Sequence, residues 1–333
     1  MRCFLGVDGG ATKTMTALGD ETGRILGTGV AGPSNYQAVG IEQAMRNVRQ
    51  SVEAALMDAS VTIGRMAYGL FALAGADYAT DFEALAHGLG EMWPALPLEV
   101  INDTWAALRS GAEEDYGLVF ISGTGANFAA RDRAGKKVTG RGIGYQWGTE
   151  GGAGRLLDSI LHFAFRSHDN TGPKTALEPK ILDILGYADY DALALALYQA
   201  AGKLNLANPK TYDLVPVLFD LAFRGDRVSQ DILVYTGSVM GEMSGRLLQS
   251  LNLASIEVEV VLAGSTFTKG KSPLLVSNFI SACQRYAPLA KIKFPDMEPA
   301  GGAFLLALEA AGISPKGEVR KKTIAGLTAL TAL

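Results

Sequence analysis

The sequence predicts an α/β protein built as two similar lobes. Three observations lead there. At 333 residues the chain exceeds what one core usually holds. Strand-like apolar runs alternate with segments of helical periodicity. The order strand, glycine turn, strand, turn, strand occurs twice, about 114 positions apart.

The first copy opens with CFLGV, turns at DGGATKT, continues through TMTALGD, turns again at ETGR and ends in ILGTGV. These read as three strands joined by short turns. IEQAMRNVRQSVEAALMDAS (41–60) carries apolar residues at helical spacing with charges between them. MAYGLFALAG (66–75) reads as a buried strand, DFEALAHGLGEMW as a helix, and LEVIND as a strand leading into the helical TWAALRSG. A first lobe over 1–115 is therefore expected.

The second copy runs GLVFIS (117–122), the turn GTGA, NFAARD, the turn RAGK and KVTGR. A helical insertion follows from 150 to 251, broken by the Gly and Pro of HDNTGPKTALEP. IEVEVVLAGSTF then reads as strand and turn, and PLLVSNFISACQRY and GGAFLLALEAAG as helices. The second lobe is expected over 116–315. Residues 316–333 are expected to form a polar tail, because PKGEVRKK resembles a solvated charge run.

Composition narrows the function classes. A net charge of −4 offers polyanions no general attraction, so no nucleic-acid partner is expected. No apolar stretch approaches the ~20 residues of a membrane span. MRCFLGVDGG enters a glycine turn without the pattern of a secretory leader. The two cysteines, Cys3 and Cys283, cannot make a disulfide framework or a four-cysteine metal site within one chain, which suits a reducing cytoplasm. His87, His162 and His168 lie in unrelated segments without ligand spacing.

DGGATKT raises the question of phosphate. A P-loop needs glycine where Thr12 stands and runs into a helix, whereas this turn runs into an alternating strand. GTGANF likewise lacks the third glycine of a dinucleotide fingerprint. Both are glycine turns inside hairpins, able to present successive backbone N–H groups to an anion. The hydroxyls of Thr12 and Thr14 and the Lys13 ammonium add donors. Asp8 repels bare phosphate and so points to a metal, Mg²⁺ with retained waters. Read alone, DGGATKT is equally a tight hairpin turn with a solvent-facing lysine. Read with SGTG (122–125), the pair suggests two turns gripping one polyphosphate across a cleft.

Five segments in order resemble the actin-like sugar kinase superfamily, and within it the N-acetylglucosamine kinase and BadF-type ATPase family. They are DGGATKT, IND, ISGTGAN, GYQWGTEGGA and AGSTF, spanning residues 4–267, with PAGGA extending the match. The resemblance implies two actin-like (ribonuclease H-like) lobes with ATP in the central cleft. It places Gly9, Gly10, Ala11, Thr12, Lys13 and Thr14, and Gly123, Thr124 and Gly125, at the phosphates. Gly264, Ser265 and Thr266 would approach the adenosine, and Asp8 would act through Mg²⁺. Asp103 would be the base that takes a proton from a sugar hydroxyl, although IND before TWAAL also reads as a helix N-cap. Asn35 in GPSNY, Gly75 and Asp77 in AGAD, Asp103, Thr124 and Glu150 would face the sugar.

The chain departs from that family where Gly-Trp-Gly becomes Gly142-Ile143-Gly144 and Gly-Asp-Glu-Gly becomes Gly148-Thr149-Glu150-Gly151. Thr149 and Glu150 also read as an N-cap and first-turn acid, and Trp147 reads as a sugar-stacking or a core aromatic. The leading expectation is a cytoplasmic, homodimeric ATP- and Mg²⁺-dependent kinase of an amino sugar or related hexose, with the 150–251 insertion as candidate dimer surface. An ATPase coupled to a partner enzyme and a silent sugar-binding regulator are the competing classes. The cluster-bearing version of the ATPase is disfavoured by the placement of Cys3 and Cys283.

Overall fold

The computed structural model describes residues 2–200, 209–270 and 272–331. The chain begins with β1 (Cys3–Gly9), β2 (Thr14–Asp20) and β3 (Ile25–Ala31), then α1 (Tyr36–Val39), α2 (Ile41–Asp58), β4 (Met66–Leu73), α3 (Ala79–Met92) and β5 (Leu98–Asn102). After α4 (Asp103–Gly111) come β6 (Gly117–Ser122), β7 (Ala126–Arg131) and β8 (Lys137–Thr139). A helical segment holds α5 (Gly152–His168), α6 (Leu177–Leu185), α7 (Tyr190–Gln199), α8 (Leu214–Phe223) and α9 (Arg227–Ser250). The chain ends with β9 (Val258–Ala263), α10 (Ser265–Thr268), α11 (Pro273–Gln284), β10 (Ala290–Lys293), α12 (Pro299–Ala310) and α13 (Glu318–Thr331).

The repeat read from the sequence is a repeat of topology. One sheet has the order β3-β2-β1-β4-β5 and the other β8-β7-β6-β9-β10. In each, the first three strands pair antiparallel and the last two join in parallel. Parallel neighbours need a crossover, and helices supply it on the faces of the sheet. Ala44, Val48, Val52 and Ala55 of α2 recur every three or four residues and bury one stripe. The helical segment and α11 build the largest core, against Leu118, Phe120, Val260 and Leu262 of the second sheet.

Two helices cross between the sheets. Helix α4 follows β5 of the first sheet, yet its Ala107 and Leu108 pack with Val119, Ala129 and Val261 of the second. Helix α12 follows β10 of the second sheet, yet its Phe304 packs with Phe4 and Met15 of the first. The approach is so close that a Cβ on Gly6 would lie 2.0 Å from the Phe304 backbone nitrogen. Because α12 lies between β1 and α4, it is apolar nearly all round, as a fully enclosed helix must be.

This corrects the expected boundaries. Residues from 299 onward pack on the first sheet, and 318–331 form a helix where a polar tail was expected. The charged run misled because α13 buries polar groups that are bonded. Arg320 donates to the carbonyls of Arg109 (2.8 Å) and Ser110 (3.2 Å) and pairs with Asp296 at 2.6 Å. Thr323 donates to the Gly23 carbonyl at 3.0 Å, and Leu327 is buried beside them.

Candidate active site

The β1–β2 turn keeps its donors outward. Within it, Gly10 N–H bonds the Lys13 carbonyl (2.9 Å), and the Gly10 carbonyl accepts from Ser34 (3.0 Å) and Asn35 (3.2 Å). The backbone N–H groups of Ala11, Thr12 and Lys13 meet no acceptor among the described residues, and all three residues are exposed. Thr14 differs from expectation. It is wholly buried, its hydroxyl donates to the Gly32 carbonyl (2.7 Å) and it meets Ser34 Oγ at 2.8 Å, so its side chain braces the turn. Gly9 is packed too, since a Cβ there would meet Ser34 Oγ at 2.3 Å. Nor is Lys13 a free lysine: its Nζ lies 2.8 Å from Glu298 Oε2.

The β6–β7 turn is held from behind. Buried Ser122 Oγ accepts from Gly152 N–H (2.9 Å), while Ala153 and Gly154 at the start of α5 donate to the Gly123 and Thr124 carbonyls. The N–H groups of Thr124 and Gly125 are left without an acceptor among the described residues. A Cβ on Gly123 or Gly125 would meet nothing within 4 Å, and neither residue has positive φ, so the fold itself does not demand glycine there. Gly264 is different. With φ +93° it lies against this turn, and a Cβ would come 2.3 Å from the Ser122 carbonyl oxygen. Ser265 and Thr266 continue as the short helix α10, not as a loop.

Two cavities connect these parts. One of about 680 Å³ is lined by Asp8, Lys13, Gly264, Ser265 and Glu298, so the first turn and the AGSTF segment face a common space. Another of about 390 Å³ is lined by Thr124, Ser265, Thr266, Tyr212, Phe219 and Lys269. Polyphosphate fits the first by the chemistry of its walls, which include Lys13 and Lys269, with the outward N–H groups of the β1–β2 turn adjoining them. The Asp8 and Glu298 carboxylates are oxygen donors of the kind that a hard divalent cation takes. Lys269 and Glu298 escaped the sequence reading because neither belongs to a motif; only the fold brings them to the cavity.

Three carboxyls form a row beside the first turn. Burial pushes Asp8 up to about 7, helped by the charges of Asp103 and Glu298 and opposed by Lys13. Burial pushes Asp103 up to about 6, and the Asp77 charge adds to it. Asp77 is raised by burial and by Asp81, with hydrogen bonds from Gln37 and Asn102 acting against the rise. The N-cap reading of Asp103 is corrected: Asn102 caps α4, its Oδ1 accepting from Thr104 N–H at 3.1 Å, and Asp103 is the first helical residue. The same Asn102 donates Nδ2 to the Ala76 carbonyl (3.2 Å) and to Asp77 Oδ1 (2.9 Å), which ties the AGAD loop to the start of α4. Asn35 caps α1 by accepting from Gln37 N–H at 3.1 Å, and its Oδ1 lies where a Cβ on Gly75 would come within 2.9 Å. Asn35, Gly75, Asp77 and Asp103 therefore form one neighbourhood.

Glu150 stands apart from it. It is buried, with Arg155 Nε at 3.1 Å and Gly151 N–H at 3.2 Å from Oε1, and burial raises it against the pull of Arg155. Arg155 in turn lies 4.1 Å over the Tyr145 ring. No described contact links Glu150 to Asn35, Asp77 or Asp103. The helix-start reading of Thr149 and Glu150 is also corrected, because α5 begins at Gly152 with Gly151 as its N-cap residue. Trp147 is exposed, which removes the core reading. Cys3 and Cys283 are each buried in different layers, and no group of metal-ligating side chains forms among the described residues.

Residues 5–307 match the model of the BadF/BadG/BcrA/BcrD ATPase family. The chain belongs to this family. N-acetyl-D-glucosamine kinase of Dictyostelium discoideum is 28% identical over 319 residues, 92% of this chain and 97% of the relative. N-acetylmuramic acid/N-acetylglucosamine kinase of Clostridium acetobutylicum is 26% identical over 267 residues, 79% and 85% of the two chains. Among solved structures, a candidate N-acetylglucosamine kinase of Chromobacterium violaceum aligns with TM-score 0.66 and 22% identity, covering 92% and 99%. A glucokinase of the ROK family from Streptomyces griseus, solved with glucose and AMPPNP, aligns with TM-score 0.56 and 18% identity over 92% and 99%. The structural likenesses establish the fold of the actin-like sugar kinases, two α/β lobes with a duplicated sheet plan.

Proposed function

We propose that this member of the family is an ATP-dependent kinase of a sugar hydroxyl, with Asp103 as general base and an amino sugar or related hexose as acceptor. The observation that carries the reading is the row Asp8, Asp103, Asp77. It runs from the first glycine turn to the AGAD loop of Gly75, against which Asn35 packs, and its middle member has a raised proton affinity. An alcohol needs a base as it attacks phosphorus, and a carboxyl poised near the working pH serves best.

In this reading the N–H groups of Ala11, Thr12, Lys13, Thr124 and Gly125 hold the phosphate chain, and Gly264, Ser265 and Thr266 flank the adenosine. Asn35, Gly75, Asp77 and Thr124 orient the sugar. The acceptor oxygen bonds to the γ-phosphorus, its proton passes to the Asp103 carboxylate, and ADP leaves with the electrons of the broken P–O bond. Magnesium bound through Asp8 would neutralise charge on the β- and γ-phosphates. Glu150 reaches the sugar only if the two lobes approach, as water exclusion also requires.

Coupled ADP release over a panel of hexoses and amino sugars tests the reading. Turnover stimulated by a sugar, with the sugar phosphate as product, is expected. ATP hydrolysis indifferent to every sugar would instead favour an ATPase that serves a partner enzyme, and homodimerisation through the helical segment is checked by light scattering.

A further inference from the structure

Next to the acid row lies a cavity of about 190 Å³ whose walls come from both sheets. Asp77 and Asn102 line one side of it, and Arg141, just past β8, lines the other. Tyr78, Phe82 and Trp105 add ring surface. The hydrogen-bonding capacity of Asn102 is largely spent on Thr104, Ala76 and Asp77. Nearby cations are engaged as well: Lys137 lies 5.2 Å over the Trp105 ring, and Arg131 pairs with Asp115 at 3.3 Å. Arg141 alone among these three has no hydrogen bond, ion pair or ring contact with any described residue.

We infer that Arg141 selects an acceptor carrying a carboxylate, and that the preferred substrate is an N-acylated amino sugar with an acidic substituent. This rests on the sugar-kinase reading above and deepens it. A neutral hexose gives a permanently charged guanidinium no partner. An anionic sugar entering beside Asp77 and Asp103 would be repelled unless a cation offset them, and Arg141 is placed to do so. A guanidinium matches a carboxylate with two parallel N–H···O bonds, which sets orientation as well as strength. The ring surfaces of Tyr78, Phe82 and Trp105 suit the methyl of an acyl group. Ile143 and Thr149, uncharged in the following segment, add no competing acid.

The test compares N-acetylmuramic acid with N-acetylglucosamine by ADP release in the wild type, Arg141→Gln and Arg141→Lys. The wild type is expected to favour the acidic sugar in kcat/KM. Arg141→Gln should lower the acidic-to-neutral ratio by about 10- to 100-fold, the range of a charge-assisted pair. Arg141→Lys should restore part of it, and added salt should shrink the wild-type preference. A ratio unchanged in Arg141→Gln overturns the inference. Equal losses on both sugars would show that Arg141 meets the phosphate, and also overturn it. If neither sugar stimulates ADP release, the kinase reading has failed, and calorimetric binding of N-acetylmuramic acid then decides: affinity dependent on Arg141 keeps the assignment, and none rejects it.

Discussion

Gly125→Ala separates what the fold requires from what a ligand requires. A Cβ at Gly125 meets no atom within 4 Å, and the residue does not have positive φ. The substitution should therefore change stability by no more than about 0.5 kcal/mol, as at other unconstrained surface sites. The new methyl would, however, stand beside the unpaired N–H groups of Thr124 and Gly125, where phosphate must approach. Losing one hydrogen bond to a charged group costs about 1.5–3 kcal/mol. That is a loss of about 10- to 150-fold in ADP affinity. Calorimetry with ADP and a thermal melt read the two quantities independently. Gly264→Ala supplies the contrast. At φ +93° and ψ 158°, with a Cβ 2.3 Å from the Ser122 oxygen, strain of about 1–3 kcal/mol adds to steric overlap, so melting temperature and affinity should fall together. Wild-type ADP affinity in a Gly125→Ala protein that melts normally would refute the claim that this turn holds phosphate.

Asp103→Asn should lower kcat by about 10²- to 10⁴-fold while leaving ADP affinity intact, as measured by steady-state kinetics and calorimetry. Because Asp103 must be ionised to act, kcat/KM should be full well above its pKa of about 6 and fall as pH drops through it. Asp77→Asn removes a like charge and should move that acid limb to lower pH, whatever it does to the maximum rate. Leu327→Ala should cost about 2–5 kcal/mol, seen as a lower melting temperature, since the side chain is buried in α13 against the first sheet; an unchanged melt would restore the polar-tail reading.

What was legible in the sequence had a local cause. Strand periods, glycine turns and the α2 stripe report backbone geometry and burial directly, so the duplicated plan emerged before any coordinate. Arg320 and Thr323 misled because buried polar residues with good partners look solvated in a one-dimensional reading. Asp103 was read as a cap, but its neighbour took that role, because Asn102 and Asp103 are equally good caps by type and only the turn of the chain selects one. Thr14 was read as a donor from its place in a motif, while its hydroxyl was committed to Gly32, 18 residues away. The partners of Lys13 and Glu150 were unreadable for the same reason. Glu298 is 285 positions from Lys13, and Arg155, although near in sequence to Glu150, is turned toward it only by α5.

The duplication also explains why one carboxyl is free for chemistry. Asp8 and Ser122 occupy corresponding strand ends, just before the two glycine turns; the first faces the cavity, while the second is buried and accepts from Gly152. Asp103 is the first residue of α4 and Glu298 is the N-cap residue of α12, without a side-chain capping bond, so each crossing helix brings a carboxyl to the central region from its start. Both helix starts favour negative charge. Glu298 has the Lys13 ammonium at 2.8 Å, whereas Asp103 has no cation paired with it among the described residues and feels the charge of Asp77 instead. The two acids thus differ in their nearest charge, a cation for Glu298 and an anion for Asp103. A base needs an unmatched carboxylate, and a phosphate turn needs its lysine held in place until the anion arrives. Lys13 therefore distinguishes the two acids: it pairs with Glu298 at 2.8 Å and leaves Asp103 without a cation, the condition that the proposed base requires.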